Sequence, residues 1–251
     1  MEELVNSLHK LVDLGVVGIK QSFEDEGALQ KDVLTMRRIT EKVGIDLSVK
    51  IGGCEAKTDI QFCKEIGVDK IVAPMVESKF ALSKFIESVA DIDDMKFYVN
   101  IESHNAQKNL TEILESPSSK LLSGIVVGRS DMIKSYGFSK DNVDGNMMNE
   151  IVKRVFKIAR REFGLKDTIM GGNLSPKSSN IISSLYHDKL LNCIETRNVI
   201  IRLNESNIKN ISNLIKMSLL FESNWLQYKA ESYNSLGRSY VHRSEIIKDR
   251  L

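Results

Sequence analysis

Two carboxylates in this 251-residue chain stand where chemistry is expected. Glu102 ends the run Phe97, Tyr98, Val99, Asn100, Ile101, and Asp131 follows closely on Gly124, Ile125, Val126, Val127, Gly128. An acid at the end of a buried strand is costly without a partner. One or two carboxylates, completed by waters and substrate, are a common way to hold Mg2+ or Mn2+. The competing reading pairs each carboxylate with a nearby lysine, or uses Ser130 and Asp131 to cap the following helix. Spacing leaves both open.

The other polar groups at strand ends widen the choice. Lys20, Gln21, Glu24 and Asp25 close one run; Lys50 closes another, before the turn Gly52, Gly53; Met75 and Glu77, Asn100, Arg129, Asn173 and Arg202 close others. Glu24 suits an acid/base role, or a group holding a metal-bound water, as well as it suits a solvated loop. Asp25 and Glu26 suit the first turn of the next helix. Asn100 could orient substrate or make a core hydrogen bond. His104 reads as a surface residue, Cys54 as structural, and Trp225 as a packing anchor. Arg197 and Arg202 could bind an anion or form salt bridges.

These groups need elements to position them, and the hydrophobic pattern supplies alternating ones. Strand-like runs fall at 16–23, 47–51, 70–74, 97–102, 124–128, 168–171 and 198–203. Helical spacing fills 1–13, 28–43, 57–66, 79–91, 106–115, 147–162, 177–188 and 206–228. Short apolar strands separated by single helices predict a parallel sheet. Lys20, Ser22 and Glu24 share one parity, as do Ser48 and Lys50, and Asn100 and Glu102. An open sheet covered on both faces wants apolar residues on both parities, whereas a barrel can direct polar ones inward near its carboxyl end. The expectation is an α/β protein with a TIM (β/α)8-type barrel. Seven strands are legible, so the eighth would precede residue 1 or be poorly formed. The barrel domain spans 1–228; the polar stretch 229–251 either packs on a neighbouring subunit or is mobile.

Composition narrows the classes. The chain is 42% hydrophobic and 27% charged, with net charge +1, so no nucleic-acid or membrane-surface footprint is visible. Three scattered cysteines, Cys54, Cys63 and Cys193, fit a reducing, cytoplasmic setting. No apolar run approaches the roughly 20 residues that span a bilayer. Nucleotide-type phosphate loops are absent, and Gly171, Gly172, Asn173 is weak evidence for an anion site.

Five segments, in order, carry a family resemblance. VVGIKQSFEDEG, SVKIGG, IVAPMVES, IESHNAQKNLTEIL and GIVVGRSDMIKSYG resemble motifs of the HpcH/HpaI aldolase–citrate lyase family, within the phosphoenolpyruvate/pyruvate-binding barrels. The resemblance covers 16–137; later segments match only in rhythm. It implies a Mg2+ or Mn2+ site at Glu102 and Asp131, chelated by a pyruvate-like 2-oxo acid. The peptide N–H groups around Gly128, Arg129 and Ser130 would hold the substrate carboxylate. The family usually carries arginine where this chain has Lys50, and lysine lacks the planar fork.

The function expected is therefore a metal-dependent carbon–carbon lyase, an aldolase acting on a 2-oxo acid with an aldehyde or acyl-thioester partner. Lys50 would stabilise the enolate, Glu24 would move a proton, and Asn100 would contact substrate. Two alternatives stand beside it: a non-catalytic oxo-acid-binding barrel, and a Schiff-base aldolase using Lys50, since KIGG also resembles Schiff-base strands. A structural ion pair of Lys50 with Glu24 or Glu55 is the plainest reading. Closed symmetric assemblies are common, so a homo-oligomer is expected.

Overall fold

The chain begins with an amphipathic helix, α1 (Glu2–Val12), whose Leu4, Leu8 and Leu11 are buried. The computed structural model describes residues 1–24 and 26–250. Seven strands then run parallel: β1 (Val16–Ser22), β2 (Asp46–Lys50), β3 (Lys70–Ala73), β4 (Lys96–Ile101), β5 (Leu122–Gly128), β6 (Asp167–Gly171) and β7 (Cys193–Glu195). Between them lie α2 (Gln30–Val43), α3 (Lys57–Glu65), α4 (Lys79–Val89), the split pair α5 (His104–Lys108) and α6 (Leu110–Glu115), α7 (Arg129–Ser135), α8 (Asn146–Lys157) and α9 (Ser179–His187). An eighth strand, β8 (Val199–Arg202), pairs antiparallel with both β7 and β1 and closes the barrel. The last helix, α10, runs unbroken from Ile211 to Lys248.

The eighth strand is thus within the chain, and does not precede residue 1. β7 has three residues and is followed at once by the turn 196–198, so sequence periodicity merges it with the run up to 203. The strand expected at 198–203 exists, but it comes back down the barrel. Its end therefore lies at the opposite mouth from the other strand ends. Arg202 sits there, 3.7 Å from Asp167 at the start of β6, and does not join the groups at the carboxyl face.

Alternating parity sorts the strand residues into two sets. Val72, Tyr98, Val126, Ile169 and Cys193 form a small apolar cluster of their own inside the barrel. Ile71, Ala73, Val99, Ile101, Ile125, Val127, Met170 and Ile194 belong to the main core under the helices. Below the inner cluster, Lys70 pairs with Asp46 at 2.8 Å and the Tyr98 hydroxyl donates to Asp167 at 2.7 Å. Gly124 permits this approach, because a Cβ there would lie 2.2 Å from the Asp167 carbonyl oxygen. Above the cluster, the same parity delivers Lys20, Lys50, Asn100, Gly128, Gly171 and Glu195 to the carboxyl mouth.

α10 packs on α1 and on the turn 176–178. Trp225 is buried in this packing and stacks on Tyr228. Farther along, Tyr233 donates to Asp32 of α2 at 2.6 Å. Beyond it Leu236, Tyr240, Val241 and Ile247 are exposed.

Candidate active site

Glu102 is 2% exposed, and the structure supplies its partners. Lys50 Nζ lies 3.1 Å from Oε2, Asn100 Nδ2 donates to the same oxygen at 2.8 Å, and the Met75 N–H donates to Oε1 at 3.0 Å. Met75 adopts φ +50° to aim that N–H, a left-handed conformation that costs an unbranched residue of the order of 1 kcal/mol. Burial pushes the Glu102 carboxyl above its ordinary range, outweighing Lys50 and the two hydrogen-bond donors.

Lys50 also meets Glu24, Nζ to Oε2 at 2.8 Å. Burial works against its charge, but Glu102 and Glu24 together hold its pKa above the ordinary lysine value. Of the pairings considered from sequence, Glu24 and Glu102 are made. Glu26 does not cap α2, which starts at Gln30 with Asp32 accepting from the Leu29 N–H at 3.2 Å. It accepts instead from Asn198 Nδ2 at 2.9 Å. Asp25 lies outside the described residues.

Lys50, Asn100, Glu102, Gly128, Ser130 and Asp131 line one cavity of about 430 Å³. Lys20, Glu195, Thr196, Arg197 and Glu222 also line it, as do Lys134 and Lys140. Asp131 is one-third exposed and pairs with Lys134 at 3.3 Å. Gly128 has a spatial reason: a Cβ there would lie 2.8 Å from Glu102 Oε2.

Arg129 splits into two roles. Its guanidinium is fully buried and donates to the carbonyls of Gly171, Gly172 and Val143, to Asp144 at 2.8 Å and to Ser178. The side chain therefore staples the 171–172 loop beneath the cavity. Its backbone N–H, with that of Ser130, lies beside Gly172, where a Cβ would come within 2.5 Å of both nitrogens. Only glycine leaves these amides uncrowded.

The donor set suits a hard divalent cation. Glu102 and Asp131 offer carboxylate oxygens on one cavity, and the buried Asn100 Oδ1 has no hydrogen-bond partner among the described residues. Among the described residues no group of three or more His, Cys, Asp or Glu gathers as a metal cage; Mg2+ is usually held by one or two carboxylates with waters.

Sequence reading passed over Glu195, Thr196 and Glu222. Glu195 belongs to the shortest strand, and its only signal was the inward parity it shares with Cys193. Glu222 sits on α10 and accepts from Thr196 Oγ1 at 2.5 Å and from the Asn198 N–H at 2.6 Å. It pins the turn between β7 and β8. Cys54 donates to the Pro74 carbonyl, and burial pushes its thiol up, which disfavours a thiolate nucleophile.

A closed α/β barrel with lysine and carboxylates at its carboxyl mouth defines the class, and comparison gives the family. The family model for HpcH/HpaI aldolase/citrate lyase matches residues 32–172, and the chain belongs to that family. A pyruvate kinase from Leishmania mexicana is 30% identical over 135 residues, covering 48% of this chain and 25% of that protein. The chain thus spans about a quarter of that curated relative. Among solved structures, an HpcH/HpaI aldolase/citrate lyase family protein from Burkholderia cenocepacia J2315 has TM-score 0.61 at 12% identity, over 76% of this chain and 82% of its own. The citrate synthase SbnG has TM-score 0.58 at 13% identity, over 86% and 96%. Identities this low show the shared fold. No helix among the described residues is long and apolar enough to cross a membrane.

Proposed function

We propose that this chain is a carbon–carbon lyase that makes or breaks the bond beside a pyruvate-type 2-oxo acid, with a small aldehyde or an acyl thioester as the other partner. Membership of an aldolase/citrate lyase family supports a lyase-type chemistry. The observation that carries the finer reading is the buried Lys50–Glu102–Asn100 cluster, facing Asp131 and the 128–130 backbone across one cavity.

Glu102 and Asp131 would hold Mg2+ or Mn2+, which when bound supplies Lewis acidity toward a keto oxygen. The chain's own groups do the rest. The N–H groups of Arg129 and Ser130 orient the substrate carboxylate. Lys50, kept charged by two carboxylates, opposes negative charge developing on the keto oxygen. It does so as a compact point charge rather than as a planar fork. Glu24, tethered to Lys50 at 2.8 Å behind the cavity lining, would relay a proton only indirectly, through Lys50 or a water. The same two carboxylates weigh against a Schiff base, which needs an uncharged amine. Self-association belongs to this reading, supported by the exposed apolar residues at the end of α10. Sedimentation velocity of the full chain and of one lacking 236–251 tests it: a monomeric full chain would refute self-association, and an oligomeric state unchanged by the truncation would refute the part given to the end of α10.

The deciding test is calorimetry of Mg2+ and Mn2+ binding with and without oxalate, in wild type, Glu102→Gln and Asp131→Asn. Binding tightened by oxalate and lost in both variants is expected. No binding by wild type would sink the cation site, and borohydride trapping of pyruvate on Lys50 would move the chemistry to a Schiff base.

A further inference from the structure

Lys20 and Glu195 form a close ion pair that lines the same cavity as Lys50, and the lyase mechanism leaves them without a task. Their side chains are 13% and 4% exposed. Lys20 comes from the end of β1 and Glu195 from the end of β7. The turn 196–198 binds these ends together: the Lys20 N–H donates to the Asn198 carbonyl at 2.6 Å, and Asn198 Nδ2 donates to the Lys20 carbonyl at 3.0 Å.

The glycines beneath show where the carboxylate lies. A Cβ on Gly171 would meet Glu195 Cγ and Oε1 at 2.9 Å, so Glu195 occupies the space above the end of β6. Glu102 likewise occupies the space above Gly128, at the end of β5. Gly128 and Gly171 are register partners on adjacent strands. Glu102 and Glu195 therefore lean in from opposite sides over one paired step of the sheet, each with its own lysine. Both couples line the same cavity. Glu24 is tied to Lys50 at 2.8 Å and is not among the residues lining that cavity.

Resting on the lyase reading, we propose that Glu195, held by Lys20, is the proton acceptor for the partner half of the reaction. In the cleavage direction Glu195 takes the proton from the hydroxyl on the carbon to be released. The oxygen's electrons form the new carbonyl as the carbon–carbon bond breaks. That bond's electron pair passes into the 2-oxo unit as an enolate, whose oxygen faces Lys50. A proton from water adds to the enolate carbon, and Glu195 releases its own proton to water, so the step balances with no other reactant. In the synthetic direction Glu195 hands the proton to the aldehyde oxygen.

The two halves can be measured apart. Exchange of pyruvate methyl protons in D2O with Mg2+, followed by NMR, reports the 2-oxo acid half alone. Addition of pyruvate to glycolaldehyde or glyoxylate reports both halves. Glu195→Gln is expected to keep exchange within about twofold of wild type and to lose addition by about 10²-fold or more, the usual scale for a general base. Glu195→Asp should recover part of the addition rate, which a purely structural role would not predict. Lys50→Met should lose both. Addition by Glu195→Gln within threefold of wild type would overturn the assignment, as would equal loss of exchange and addition in a variant that still binds oxalate. A wild-type protein that neither binds oxalate nor exchanges pyruvate protons would overturn the lyase reading itself, which separates the two failures.

Discussion

Replacing Lys50 by Met tests whether Lys50 and Glu102 are one electrostatic unit. The substitution keeps the length of the side chain and removes the charge. Glu102 would retain Asn100 and the Met75 N–H, at 2.8 and 3.0 Å, but lose the Lys50 ammonium, at 3.1 Å. Removing one partner of a buried pair typically costs about 3–5 kcal/mol. Glu24 adds little, being 29% exposed at its side chain and free to rehydrate. Lys50 has a raised pKa, so its stabilising effect is complete below the ordinary lysine value and fades only as pH rises through the higher folded value. It gives no slope near neutrality. Glu102 also has a raised pKa, so the native state binds the extra proton and stability falls as pH rises from the ordinary glutamate value of 4.5 to the higher folded value. Loss of Lys50 lifts that value further. Within the window the slope is about 1.4 kcal/mol per pH unit for one proton. Urea unfolding at pH 5 and pH 8 should therefore show a penalty of about 3 kcal/mol at pH 8 that mostly disappears at pH 5. Lys50→Met with Glu102→Gln should return to within about 1 kcal/mol of wild type at both. A loss below about 1 kcal/mol at pH 8, or one independent of pH, would refute the coupling.

Gly128→Ala should displace the Glu102 carboxylate, since the new Cβ would sit 2.8 Å from Oε2 and 2.9 Å from Glu102 Cβ; a stability loss of about 1–3 kcal/mol is expected, with Mg2+ affinity by calorimetry reduced at least tenfold. Arg129→Lys cannot serve the carbonyls of 143, 171 and 172 together with Asp144, so it should cost about 3 kcal/mol in urea unfolding and raise the KM for pyruvate through the loosened 171–172 loop. Unchanged stability would remove the staple from the account.

The parts of this site visible in sequence are those on strands long enough to show their parity. β4 alternates over six residues, so Asn100 and Glu102 declare themselves inward, and Lys50 does the same at the end of β2. The seven-strand rhythm and the barrel followed from that alternation. β7 was not legible because three residues carry too little alternation to stand apart from the apolar run up to 203. Missing it reversed the expected direction of the last strand, put Arg202 at the wrong mouth and hid Glu195. The dual role of Arg129 was invisible for another reason: which acceptors a buried guanidinium satisfies depends on loops 14 to 49 residues away.

This division has a chemical counterpart. The stretch matched by the family model, 32–172, holds Lys50, Asn100, Glu102, the 128–130 amides and Asp131, all groups suited to the 2-oxo acid half. Lys20, Glu195 and Glu222 lie outside it, on the wall where the partner would sit. β8 runs antiparallel, so the turn from β7 reaches β1 directly and no helix intervenes. Glu222 of α10 fastens that turn through Thr196 and Asn198. The wall that would choose the partner molecule is thus built by the strand inversion, and α10, which supplies Leu219, Glu222 and Leu226 to the cavity rim, fixes its position.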